Sequence, residues 1–138
     1  MSLDRRILIA DDDPEIRLGF ADLLGSLGAE ILLAETGVQA LELVRHGGLH
    51  LALLDHKMPG PSGLEILETI RAELLGVPAI LCSADADGDV GVLARRAGAF
   101  AVLTKPVRPK ELRLEVERAL TLSGDPRMPG SNPRPLES

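Results

Sequence analysis

Five short apolar runs recur along the chain: Ile7 to Ala10, Ile31 to Ala34, Leu51 to Leu54, Ala79 to Ser83 and Ala101 to Thr104. They are apolar on both faces, so each reads as a strand covered by helices above and below. Longer amphipathic stretches separate them. This alternation predicts βα units and a parallel sheet, the α/β class.

The helical stretches carry their own boundaries. In the first, Asp13 stands at the N-cap, Pro14 at the first helical position and Gly28 after the end, with Ile16, Phe20, Leu23, Leu24 and Leu27 on one face. The second runs from Val38 to Arg45 and stops at Gly47 and Gly48. The third opens at Ser62 with Glu65 at capping-box spacing, closes near Gly76, and has Leu67, Ile70 and Leu74 as its inner stripe. The fourth, Asp89 to Ala97, has a thinner apolar face of Val90, Leu93, Ala94 and Ala97 behind a glycine-containing start, and mobility is expected there. The fifth begins at Pro109 and buries Leu112, Val116, Ala119 and Leu120. Residues 1–122 therefore read as one domain. Residues 123–138, "SGDPRMPGSNPRPLES", lack apolar periodicity and read as a disordered Pro/Gly-rich tail or linker.

Composition narrows the class. With 45% hydrophobic and 26% charged residues, the 138-residue chain can bury one real core. No apolar run approaches the roughly 18 residues that a membrane span requires. A net charge of −6 repels phosphates and argues against direct nucleic-acid binding by this domain. Cys82, the sole cysteine, lies inside "AILCS" as a small hydrophobe; no internal disulfide can form, and a reducing, cytoplasmic location is expected.

Ligands of open parallel α/β sheets bind outside the carboxyl ends of the strands, and the polar landmarks of this sequence collect there. Asp11, Asp12 and Asp13 follow the first strand, Asp55 the third, Ser83 ends the fourth, and Lys105 with Pro106 follows the fifth. Singly, the three acids would be a solvated cap, Lys105 a surface lysine and Ser83 a strand-end hydroxyl. Jointly they make sense as a site. A hard divalent cation such as Mg²⁺ would screen the carboxylates, and an ammonium and a hydroxyl would stabilise phosphoryl oxygens. Asp55 would then be the nucleophile, forming an acyl phosphate.

In this arrangement residues 5 to 122 resemble the receiver domain of two-component response regulators, of the kind found in chemotaxis regulators. The resemblance rests on the acidic pair after the first strand, "DHKMPGPSG" as D-x-x-M-P-G-x-x-G after the third, Ser83-Ala84 after the fourth and Lys105-Pro106 after the fifth. It implies a flavodoxin-like, doubly wound (βα)5 fold of strand order 2-1-3-4-5 with helices on both faces. It implies that Asp55 accepts phosphate from a phosphohistidine on a sensor histidine kinase or phosphotransfer protein. Mg²⁺ would be held by Asp12, Asp55 and the main-chain carbonyl of Lys57, with Asp11 acting through water. Ser83 and the Ala84 N–H would contact phosphoryl oxygens, Lys105 would pair with them, the Lys105-Pro106 bond would be cis, and Asp13 would cap a helix. Such a domain is a phosphorylation switch that catalyses its own phosphotransfer and autodephosphorylation, and not a turnover enzyme. The resemblance also marks the face of helix four, strand five and helix five for a homodimer or target contact.

Two positions depart from that family. Val102 stands where an aromatic switch residue is common, and Ser83 replaces the more frequent threonine. Lys57 and Asp85 flank the acceptor, and we expect them either to pair across the site and slow phosphate loss or to be independently solvated. His46, His50 and His56 lack metal-ligand spacing and read as surface residues. A haloacid-dehalogenase-like phosphatase would use Asp11 and Asp13 as its D-x-D, but its downstream threonine is absent and Asp55 would have no task. A phosphate-independent binding module would need none of Asp11, Asp12, Asp55, Ser83 and Lys105. A flavin carrier would lack any Trp or Tyr to stack on the ring.

Overall fold

The computed structural model describes residues 5–124. Five strands, β1 (Arg6–Ala10), β2 (Glu30–Ala34), β3 (Leu51–Asp55), β4 (Ala79–Ser83) and β5 (Ala101–Thr104), alternate with five helices. The helices are α1 (Pro14–Gly25), α2 (Gly37–His46), α3 (Gly63–Ala72), α4 (Asp89–Arg96) and α5 (Pro109–Gly124). The strands form one parallel sheet of order β2-β1-β3-β4-β5, the doubly wound topology expected. Helix α5 runs two residues past the anticipated boundary at Leu122. The remainder of the expected tail lies outside the described residues.

All residues of β3 and β4 are buried, as strands at the centre of a two-sided sheet must be. Alternate side chains enter two separate cores. Leu8, Leu54 and Leu81 pack with Ala40, Ile66 and Ile70 of α2 and α3. Ile7, Leu53 and Ile80 pack on the other face with Leu24 of α1 and with Leu112 and Val116 of α5. At roughly 1.5 to 3 kcal/mol for each large apolar side chain buried, these layers supply the main drive for folding.

The caps agree with the sequence. Asp13 accepts from the Glu15 and Ile16 N–H groups at 2.9 and 3.4 Å. Ser62 and Glu65 form a reciprocal capping box.

Helix α3 ends earlier than expected. Leu74, anticipated on its inner stripe, is 88% exposed, and its φ of 54° lies in the left-handed region. Its N–H donates to the Arg71 carbonyl and the Leu75 N–H to the Ile70 carbonyl, the bond pair of a Schellman ending. The turn swings Leu75, and not Leu74, onto the core. Leu93 is also turned outward, so α4 and its C-cap pack on the core through Val90, Ala94 and Ala97.

Two substitutions test this packing in urea unfolding. Leu74→Gly is expected to raise the unfolding free energy by about 1 kcal/mol, because an L side chain at that φ is strained. Leu112→Ala, which empties a fully buried position, is expected to lower it by about 2 to 5 kcal/mol.

Candidate phosphoacceptor and metal site

Parallel pairing sends every βα connection out of the same edge of the sheet, and the site assembles there. Asp55 is the last residue of β3 and Ser83 the last of β4; Asp11 directly follows β1. All three are nearly inaccessible, at 6%, 5% and 2% exposure. They are the only buried polar or charged residues among those described. Lys105 follows β5, where its N–H donates to the Ser83 carbonyl at 3.0 Å, and its bond to Pro106 is cis as expected.

The Lys105 ammonium spans two of these carboxylates. Its Nζ lies 2.9 Å from Asp55 Oδ1 and 3.2 Å from Asp11 Oδ2. The other Asp11 oxygen accepts the Asp13 N–H at 2.9 Å, so the residue is held on both sides. Asp12 is exposed at the mouth of the cavity. Carboxylate oxygens of Asp11, Asp12 and Asp55 fall within 4.8 Å of one another. Three hard oxygen donors facing one ammonium leave negative charge uncompensated, a donor set suited to a divalent cation.

The loop after β3 offers a fourth oxygen. Its His56 carbonyl accepts from Gly63 N–H and its Pro59 carbonyl from Gly37 N–H, whereas the Lys57 carbonyl accepts no hydrogen bond among the described residues. Gly63 allows α3 to begin hard against the acceptor: a Cβ there would stand 2.5 Å from the Asp55 carbonyl oxygen. Opposite this loop, Ala84 lines the cavity and the Ser83 hydroxyl accepts the Asp85 N–H at 3.0 Å.

Burial raises the Asp55 pKa above its usual value, helped by the Asp11 and Asp12 charges and opposed by the Lys105 hydrogen bond. Burial acts on Lys105 in the opposite sense, but its hydrogen bond to Asp55 and the two nearby carboxylates prevail and raise its pKa. Cys82, paired in register with Asp55, is pushed up to about 12 by burial and is an inert thiol.

The structure decides between the two expectations for Lys57 and Asp85, and it places His56 deeper than expected. Lys57 and Asp85 both line the cavity but form no ion pair among the described residues. Asp85 instead accepts the Val90 N–H through Oδ2 at 3.2 Å and so caps α4, whose N-cap position is Gly88. Its place just ahead of a glycine-containing helix start was the available signal. His56 is half-buried in the cavity wall, with Nδ1 lacking a hydrogen-bond partner among the described residues. Arg17 was not singled out in the sequence; its guanidinium donates to the Asp11 carbonyl at 2.8 Å, reaching back from four residues past the cap. Val102 packs beside the α2–α3–α4 core, and Phe100 lies on the opposite core under Arg118, 5.8 Å from its ring centre.

A buried aspartate at the carboxyl edge of a doubly wound sheet, bridged to a lysine and ringed by acids and a hydroxyl, defines a receiver-type signalling domain. Comparison with known proteins agrees: the sequence profile described as the response regulator receiver domain matches residues 7–117, and the chain belongs to that family. It is 34% identical over 124 residues to the DNA-binding response regulator MtrA of Mycolicibacterium smegmatis, covering 90% of this chain and 54% of that protein. The chain thus spans about half the length of this relative. A CheY-like receiver domain protein from Methanospirillum hungatei superposes with a TM-score of 0.79 at 32% identity, over 85% of this chain and 94% of that one. The BeF3-activated receiver domain of DrrB superposes at 0.77 with 28% identity, over 85% and 97% of the two chains. No helix among the described residues is long and apolar enough to cross a membrane.

The raised Asp55 pKa carries a stability consequence. Because the folded-state value lies above the unfolded one, ionising Asp55 costs stability as pH rises through the window between them, and that cost is absent below the ordinary 3.8. Without divalent cations, Asp55→Asn is therefore expected to melt at a higher temperature than wild type at pH 7. The gap should close as the pH is lowered past about 4. Thermal unfolding of both proteins across that range measures it.

Proposed function

We propose that this chain is the phosphoacceptor of a two-component system, taking a phosphoryl group onto Asp55 from a phosphohistidine of a sensor histidine kinase or phosphotransfer protein. The observation that carries this is the Lys105 bridge to Asp55 and Asp11 beside Ser83, with a cluster of carboxylates at the same sheet edge. An Asp55 carboxylate oxygen attacks phosphorus, the P–N bond to the donor histidine breaks, and an aspartyl phosphate forms with the imidazole as leaving group. Lys105 then passes from the carboxylate to the phosphoryl oxygens, joined by the Ser83 hydroxyl and the Ala84 N–H. Asp11, Asp12, Asp55 and the Lys57 carbonyl would hold Mg²⁺, which supplies charge neutralisation at the phosphoryl oxygens.

Asp55 phosphate acts as a switch by stabilising one of two conformations more than the other; moving the populations from 1:99 to 99:1 requires about 5.5 kcal/mol of such preference. The Ser83 hydroxyl is shared between its bond to the Asp85 N–H and the phosphoryl group, which links the site to the start of α4. With Val102 at the position of the usual aromatic, the change travels through α4 and not through a large rotamer flip. The α4–β5–α5 face is the surface we assign to a homodimer or target. The domain dephosphorylates itself, works in the cytoplasm and makes no direct nucleic-acid contact, in keeping with its net charge of −6. Residues 125–138, beyond the end of α5, are assigned as a tail or linker on composition alone. The BeF3-activated form of DrrB, similar in fold, supports switching at an acceptor of this kind.

Intact mass after incubation with acetyl phosphate and Mg²⁺ tests the reading. Wild type is expected to gain one phosphate, and both Asp55→Asn and chelator-treated wild type to gain none. Lys105→Ala should slow the gain by about 10² or more, the scale for losing a preorganised charge-stabilising group. Equal phosphorylation of Asp55→Asn, or none from acetyl phosphate and a phosphotransfer protein alike, would overturn it.

A further inference from the structure

We infer that the first turn of α2, through Gly37, is the positioning element for the cation-binding carbonyl of Lys57; this rests on the metal site proposed above. The β3–α3 loop, residues 56–62, must present that carbonyl toward the carboxylates, yet it has no regular structure to hold it. Two clamps do so. At one end Gly63 N–H donates to the His56 carbonyl at 3.0 Å. At the other, Gly37 N–H donates to the Pro59 carbonyl at 2.9 Å.

Gly37 is the first residue of α2, directly after the Thr36 cap, so its N–H has no partner within the helix and is free to bind the loop. It is fully packed against the loop backbone: a Cβ there would stand 2.0 Å from the Pro61 carbonyl oxygen and 2.8 Å from the Pro61 carbonyl carbon and nitrogen. Any side chain would therefore push the loop away as a unit. The carbonyls of His56 and Pro59 are both occupied, which fixes the chain on either side of Lys57 and Met58, whose carbonyls accept no hydrogen bond among the described residues; of these two, Lys57 is the one that lines the site cavity. Gly37 touches neither cation nor phosphate; it acts through the loop.

Calorimetric titration of Mg²⁺ into the full chain tests the assignment, with wild type, Asp12→Asn, Gly37→Ala and Val44→Ala compared below their melting temperatures. Val44 is buried farther along the same helix, so it reports a loss of α2 packing alone. Gly37→Ala is expected to bind Mg²⁺ about 10-fold more weakly, the usual scale for losing a group that orients a ligand, while Val44→Ala keeps wild-type affinity. Affinity retained by Gly37→Ala but lost by Asp12→Asn would overturn the role of Gly37 and leave the metal site standing. No binding by wild type would overturn the site and this inference with it. Amide exchange on wild type decides the matter should Gly37→Ala not fold. Coupling is reciprocal, so saturating Mg²⁺ should slow exchange of the Gly37 N–H, and an unchanged rate would overturn the inference.

Discussion

A parallel sheet obliges all its βα connections to leave from one edge, and in this protein that constraint forces Asp11, Asp55, Ser83 and Lys105 into contact. Residues separated by up to 94 positions become a single site because β1, β3, β4 and β5 are adjacent in register. The edge concentrates more carboxylates than one lysine can neutralise. Burial, reinforced by the neighbouring carboxylates, keeps the Asp55 pKa raised even though Lys105 lies within hydrogen-bonding distance.

That frustration is suited to a reversible reaction. An unmodified site held together by a perfect ion pair would resist change, whereas one short of positive charge gains from a cation and can redistribute Lys105 onto incoming oxygens. The backbone around it is correspondingly rigid. Asp11 is fixed through its N–H to Ala34, its carbonyl by Arg17 and its two oxygens by Asp13 and Lys105. Across the site from β1 stands the β4–α4 connection. There the Ser83 hydroxyl accepts the Asp85 N–H, and Asp85 in turn accepts the Gly88 and Gly91 N–H groups at its carbonyl and the Val90 N–H at its carboxylate, at the start of a short helix.

Strand β5 carries no aromatic side chain. Val102 is half-buried on the core side of α4, too small to sweep between two rotamers of different reach. Asp85 ties the Ser83 hydroxyl to the Val90 N–H in two bonds, a direct link from the candidate site to the helix.

By itself the sequence determined the class, the strand sequence and the identity of the acids, hydroxyl and lysine at the strand ends. Apolar runs and caps such as Asp13 and Ser62 are local, and local propensity reads directly from neighbouring residues. Where the α3 terminus lies was decided by geometry instead, because Leu74 takes a glycine-like conformation so that Leu75 can reach the core. Lys57 and Asp85 line one cavity from different loops, and whether two such groups pair depends on competing partners; Asp85 accepts the Val90 N–H instead. The clamp between Gly37 and the β3–α3 loop likewise arises from contacts between distant segments. Tertiary packing alone brings those segments within hydrogen-bonding range, and a distance of 3 Å leaves no periodic trace in the chain.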